Sequence, residues 1–415
     1  MTHPSSLPAP VRLPGLDLLR ALAVLWVMLF HSFLVGGLGE DFAWLSRFGW
    51  AGVDMFFVLS GFLIGAQWLT PLSRGEPPRF GAFYARRAWR VLPAFLVVLG
   101  IYVAFPAWRE APGLQPWWQF ATFTVNLLID YGANQAFSHA WSLCVEEHFY
   151  LLFPLLAVAL CRRGSASRTV AFCVGLVVAG MALRAGIWLR DDAMQPPRAW
   201  FVEDLYYPTW TRLDGLLAGV SLALVKVYRP RLWARWMRHG LTASLVGVVL
   251  VAAALWLFRD RTGLVANTVG WPLLSLGMAG LVAGGASPIS GIGRWRLPGA
   301  GFIATISYSL YLSHKLVMHA VEQWLPDTVH GGWQFTVFAL AILVAGTALH
   351  LLVERTGLRW RDRFRAQTSP AVHQAGAAAG GTTSATIPGA RNIPVEVAIP
   401  ATAGVTPKAT AAEVP

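Results

Sequence analysis

Apolar runs alternate with short polar segments from residue 16 to residue 354. Ten such runs can be marked, at about 16–36, 48–69, 91–108, 142–161, 169–189, 211–227, 240–258, 267–285, 300–321 and 332–354. Each approaches the roughly 20 residues that carry a helix across a bilayer. The pattern predicts an all-α fold, a polytopic membrane bundle of about ten transmembrane helices. The first run is too long for the apolar region of a signal peptide, and no small-residue cleavage site follows it, so it reads as a retained span. The polar segments alternate in charge. One set carries Arg12, Arg74 and Arg79, Arg162 and Arg163, Arg229 to Arg238, Arg294 and Arg296, then Arg355 to Arg365; the other carries Glu40, Asp41, Glu110, Asp130, Asp191, Asp192, Glu203, Asp204, Asp260, Glu322 and Asp327. The positive-inside rule then places both termini in the cytoplasm and the acidic loops outside. The longest outer loop, 109–141, holds Trp117, Trp118 and Phe120, an aromatic cluster expected at the membrane interface, and leaves room for an eleventh, re-entrant segment at 117–129. From about residue 366 the chain turns to Ala, Gly, Thr, Pro and Val with almost no charge, which predicts a disordered tail. The expected division is a cytoplasmic segment 1–12, a membrane domain 13–355, and a basic juxtamembrane stretch with a disordered cytoplasmic tail, 356–415.

Composition sharpens this picture. The 415 residues are 55% hydrophobic and 13% charged, against about 25% charged in soluble proteins. A net charge of +12 is a nucleic-acid signal when it is clustered, but here the basic residues lie in short loops between apolar runs, so no nucleic-acid partner is expected and the lipid bilayer is. Cys144, Cys161 and Cys173 form no CxxC pair and no zinc spacing. Cys144 and Cys161 fall near opposite ends of one helix, so no structural disulfide is expected, and no metal site.

The chemistry lies in the polar residues that interrupt the runs. Arg20 and His31 are 11 residues apart, about three helical turns, so they share one face roughly 16 Å apart along the axis. Given the charge alternation, His31, Asp54, the Ser142–Glu146–Glu147 group, Arg212 with Asp214, and Tyr308, Tyr311 and His314 all fall in the outer half of their spans. Arg20 falls in the cytoplasmic third. Ionisable groups inside a membrane are costly and face a bundle interior or a watery cavity, so five spans converging at one depth mark a site. Glu146 and Glu147 point about 100° apart, so at most one is expected to face a given centre. Blander readings stand beside these. Asp54 could simply pair with Arg212, Gly61 and Gly65 have the small-xxx-small spacing of helix packing, and Cys144 lacks an activating neighbour for a nucleophile. At the other face, Arg87 and Arg90 are an i, i+3 pair at the start of the third span and would clamp an anion such as a phosphate.

The ordered set resembles the membrane acyltransferase-3 family over about residues 13–355. Its elements are Arg20 with His31, the block GVDMFFVLSGFLI with Asp54, the RxxR pair Arg87 and Arg90, WSLCVEEHFYL with Trp141, Ser142, Glu146, Glu147 and Tyr150, RLDGLLAG with Arg212 and Asp214, and SYSLYLSH with Tyr308, Tyr311 and His314. His148 stands where glutamine is more usual. The resemblance implies a bacterial inner-membrane, multi-pass enzyme that moves acetyl or other short acyl groups from cytoplasmic acyl-coenzyme A to a carbohydrate hydroxyl, with no permanently bound cofactor. The acceptor would be O-antigen, capsule, exopolysaccharide, peptidoglycan or a related glycan; some members act on small glycosylated or macrolide products. It implies His31, Asp54, Glu146 and Glu147 as catalytic, Arg20, Arg87 and Arg90 as donor-binding, and Ser142, Tyr150, Arg212, Asp214, Tyr311 and His314 on the acceptor or oxyanion side. On this reading His31 is the general base, with Asp54 or Glu146 orienting its ring. A proton-coupled transporter or flippase would use the same buried His, Asp and Glu as a relay but would have no need of an arginine clamp. A sensor that merely binds lipid or polysaccharide would tolerate loss of His31.

Overall fold

The computed structural model describes residues 13–32, 43–163, 166–326, 328–329 and 331–368. The expected cytoplasmic segment 1–12, the loop acids Glu40, Asp41 and Asp327, and the tail from 369 lie outside them. Among the described residues every regular element is helical. The helices that matter here are α1 (Pro14–His31), α2 (Ala51–Ser73), α3 (Phe80–Ala104), α4 (Trp117–Ala121), α5 (Val125–Leu128), α6 (Trp141–Arg163), α7 (Ala166–Met194), α8 (Asp214–Tyr228), α9 (Gly240–Leu257), α10 (Trp271–Ala286), α11 (Ala300–Glu322), α12 (Gly331–Leu349) and α13 (Arg355–Thr368). The described residues from 13 to 364 form one compact unit.

The bundle is the polytopic α-helical one expected, but its helices are of two kinds. Among the described residues, eight stretches are long and apolar enough to cross a membrane: α1, α2, α3, α6, α7, α9, α10 with the turn before it, and the run Gly331–Arg361 that joins α12 to α13. The other two expected spans are helices of different character. Helix α8 has 15 residues, short for a crossing. Helix α11 is long, but it buries Ser307, Ser309, Ser313, His314 and Lys315. Their surroundings explain this: both lie inside the bundle, packed on other helices, where polar side chains find partners.

Close backbone approach fixes the centre. Helices α2 and α8 touch through glycine. A Cβ on Gly61 would lie 2.1 Å from the Leu216 carbonyl oxygen, and one on Gly219 would lie 2.2 Å from that of Val58. The small-xxx-small spacing of Gly61 and Gly65 is therefore a packing device. It also sets a register that brings Asp54, near the start of α2, to Arg212, just before α8. Helices α9 and α10 meet in the same way at Gly247 and Gly277.

Three boundaries differ from the expected ones. Helix α3 begins at Phe80, so Arg87 and Arg90 lie in its second and third turns rather than at a span entrance. Pro93 is accommodated inside the helix. Arg212 precedes α8 in a short turn. The segment 117–129 forms the short helices α4 and α5. Trp117 and Trp118 are exposed, as interface residues would be, whereas Phe120 is fully buried against Phe137. All three cysteines are free thiols.

Candidate functional site

Helices α1, α2, α3, α6 and α11 enclose a cavity of about 100 Å³. Its basic wall is Arg20 from α1 with Arg87 and Arg90 from α3. These are the three residues expected to bind a donor, and the fold brings them together. Arg87 and Arg90 share a face because they are three residues apart. Neither points freely. The Arg87 guanidinium lies 5.0 Å from the Tyr150 ring, and Arg90 Nη1 lies 3.7 Å from Glu354 Oε1. Glu354 is fully buried in a π-helical turn, His350–Glu354. There it also accepts hydrogen bonds from Ser309 Oγ and lies 2.9 Å from His350 Nδ1. A buried carboxylate placed behind an arginine orients its fork.

The acidic wall belongs to α6. Glu146 accepts from Ser60 Oγ at 2.8 Å and from Tyr150 O–H at 3.0 Å, one donor on each carboxylate oxygen. Glu147 lines the same cavity, so both glutamates face it. The expectation that at most one would do so fails because the cavity wraps around α6 toward both α2 and α3, wide enough to take side chains 100° apart.

Ser142, one turn before Glu146 on the same face of α6, and Tyr311 from α11 line the cavity beside this acidic wall. Tyr311 O–H donates to the His139 carbonyl at 2.8 Å and lies 2.6 Å from Ser142 Oγ. These hydroxyls fasten α11 to the start of α6. The turn they grip is itself constrained: Phe137 takes φ +56°, a left-handed conformation that is costly for a non-glycine residue, and stacks on Tyr102 at 4.4 Å. One turn further along α11, fully buried His314 meets His31.

The partners of these two rings fix their tautomers. His314 Nδ1 lies 2.7 Å from the Tyr311 carbonyl oxygen, which can only accept, so Nδ1 carries the hydrogen. In a neutral ring Nε2 is then bare. His31 Nδ1 lies 3.0 Å from that bare nitrogen and 3.0 Å from the Val27 carbonyl oxygen, so it is the donor. Nε2 of His31 is left with its lone pair, the form a general base needs. His139 completes the cluster, its ring 5.0 Å from that of His314.

Asp54 and Glu146, the carboxylates expected to orient His31, have other partners. Asp54 Oδ1 accepts from Arg212 Nη2 at 2.8 Å, both residues being buried. The Arg212 guanidinium lies 3.7 Å from the Trp271 ring and 4.6 Å from that of Tyr206. Asp214 pairs with Arg184 through two hydrogen bonds, of 2.8 and 3.1 Å. Unpaired, any of these charges would cost several kcal/mol of desolvation in the bundle. The blander reading of Asp54 thus describes its geometry, and the histidine takes over the orienting place.

Several residues of this region went unread in the sequence. Arg184 was legible, because a lone arginine inside an apolar run announces a buried partner. His139 lies two residues before a motif already singled out. Ser60 and Glu354 gave no local signal, since each acts only on a residue from another helix. Glu110, in the loop after α3, is joined to Lys315 at 2.8 Å. Burial alone would raise its carboxyl, but the Lys315 ammonium and local hydrogen bonds hold it below the usual glutamate range.

Comparison with known proteins places this geometry. A family model described as an acyltransferase domain matches residues 13–355. The O-acetyltransferase OatA of Staphylococcus aureus is 28% identical over 366 residues, covering 82% of this chain and 55% of that protein. The peptidoglycan O-acetyltransferase OatA of Listeria monocytogenes is 27% identical over 349 residues, covering 77% of this chain and 52% of that protein. The chain thus spans about half the length of these curated relatives. No solved structure matches it.

Proposed function

The chain belongs to the membrane acyltransferase-3 family, and from that premise we propose that it is an O-acyltransferase of the bacterial cytoplasmic membrane. It moves an acetyl or other short acyl group from cytoplasmic acyl-coenzyme A to a hydroxyl of an extracytoplasmic carbohydrate. The names of its relatives make a peptidoglycan-type glycan the first acceptor to try. The observation that carries this reading is the arginine-walled cavity that ends at Tyr311, one helical turn before His314, the residue that holds His31 as a base.

The donor enters by the basic wall. Arg87, Arg90 and Arg20 take the phosphates of coenzyme A, to which arginine forks are suited. The pantetheine arm lies along the cavity past Glu146 and Tyr150, and the thioester reaches His31 past Ser142 and Tyr311. The acceptor hydroxyl gives its proton to His31 Nε2 while its oxygen attacks the thioester carbon. The C–S bond breaks as the ester C–O bond forms, and the thiolate takes the proton back from His31 to leave as coenzyme A. His314 holds the His31 ring throughout and shares the charge of the transient imidazolium. The acyl-coenzyme A is a substrate; no resident cofactor is invoked.

The test is reconstitution in vesicles with labelled acetyl-coenzyme A on the face that carries Arg87 and Arg90, following coenzyme A release with and without cell-envelope glycans. Release that depends on glycan, is abolished in His31→Ala, and needs more donor in Arg87→Ala/Arg90→Ala is the expected result. Movement of a glycan across the bilayer without acyl transfer, in the same vesicles, would replace this reading with the transporter.

A further inference from the structure

Three deeply buried cations in the half of the bundle that holds His31 are each matched by a carboxylate: Arg212 with Asp54, Arg184 with Asp214, and Lys315 with Glu110. Arg190 and Arg198 share Asp191, Glu203 and Asp204 in the same way. Arg261 is not matched in this way. It stands in the tight turn between α9 and α10 and has no acidic partner among the described residues. Its Nε is buried without a hydrogen-bond acceptor.

The surroundings of Arg261 are aromatic. Its guanidinium lies 4.6 Å from the Tyr206 ring, 5.1 Å from that of Trp50 and 5.7 Å from that of Phe30. Phe30 is the residue before His31, and the two rings are 5.1 Å apart. Tyr206 is also the ring on which Arg212 rests. The turn is held in place from behind: Asn267 Nδ2 donates to the Arg261 and Gly263 carbonyls at 3.0 and 2.9 Å. Trp188 Nε1 donates to the Thr262 carbonyl at 2.6 Å. A guanidinium on a pinned turn, flanked by rings but lacking a counter-ion, keeps its hydrogen-bonding edge for a ligand. Aromatic faces beside it suit the C–H face of a sugar.

We propose that Arg261 is an anion-recognition residue for the acceptor, binding a carboxylate or phosphate on the glycan whose hydroxyl is presented to His31. This rests on the acyl-transfer reading for its biological setting, but its chemistry can be tested without turnover. The probes are peptide-free glycan strands containing muramic acid, which carry a carboxylate, chito-oligosaccharides, which have the same backbone without it, and a poly(glycerol phosphate). Binding to the full-length protein in nanodiscs is measured at equilibrium, alongside coenzyme A release.

The expected result is that one of the acidic glycans binds at least about tenfold more tightly than the neutral one, as one charge-assisted contact would give. That preference should fade with rising salt, be lost in Arg261→Gln and be partly kept in Arg261→Lys, with the KM for acetyl-coenzyme A unchanged. Which acidic glycan is preferred decides between carboxylate and phosphate. Equal binding of all three probes by the wild type, or a preference that survives Arg261→Gln, overturns the proposal. If Arg261→Gln does not fold, a wild-type preference insensitive to salt does so as well. Acidic preference without any coenzyme A release would sink the acyl-transfer reading and leave the anion site; release with equal use of neutral and acidic glycans would do the reverse.

Discussion

At the residue scale the central fact is that an imidazole, not a carboxylate, stands behind His31. A carboxylate partner would stabilise the imidazolium by direct charge. A neutral imidazole holds the ring and its tautomer with less electrostatic help, so the base depends on geometry. Loss of His314 should therefore slow the chemistry without weakening the donor. For His314→Ala we expect kcat to fall by roughly 10- to 100-fold, a share of the ~10²–10⁴ that a positioned base supplies, with the KM for acetyl-coenzyme A unchanged. His314→Gln, which can place an acceptor where Nε2 now lies, should recover part of the rate. The check is a pair of full pH profiles: a positioning role moves the acid limb, where His31 must lose its proton to act, between wild type and variant, whereas a loss that scales the whole profile evenly points to misfolding.

At the scale of elements, α2 and α8 act as one unit because glycine lets their backbones touch. Gly61→Leu would drive a side chain into the Leu216 carbonyl, and we expect it to cost about 1–3 kcal/mol, as overpacking does, and to part Asp54 from Arg212. Gly75→Ala, where a Cβ meets open space but φ is +75°, is the control and should cost about 1 kcal/mol. Thermal unfolding in detergent separates the two. This scale also marks what could be read in advance. Apolar runs announced nearly every helix, and the i, i+3 arginines announced the basic wall, because both signals are local. The His31–His314 contact joins residues 283 apart, and Glu354 reaches Arg90 from the far end of the domain. Pairings of that kind depend on which helices become neighbours, and no periodicity records that.

For the whole molecule, the cavity and the histidine cluster matter only if they open to opposite sides. From the charge alternation we expect the turn at Gly75 in the cytoplasm and the turn at Asp260 outside. Single cysteines at these two exposed positions, with Cys161 replaced by serine, should react differently with an impermeant maleimide added to intact cells. Asp260→Cys should be labelled, and Gly75→Cys only after lysis; the reverse pattern would turn the domain over and place the arginines outside. One more property follows from where the histidine pair ends. The last atom of that pair's chain is the Tyr311 carbonyl oxygen, which takes a hydrogen bond but does not keep a proton. A proton collected by His31 has no onward route through α11 and returns to the sulfur that leaves. Each turnover then exchanges one neutral acyl group for one hydrogen atom and moves no charge through the bilayer. In the proposed reaction the membrane voltage neither drives the transfer nor opposes it, and the free energy comes from the thioester alone.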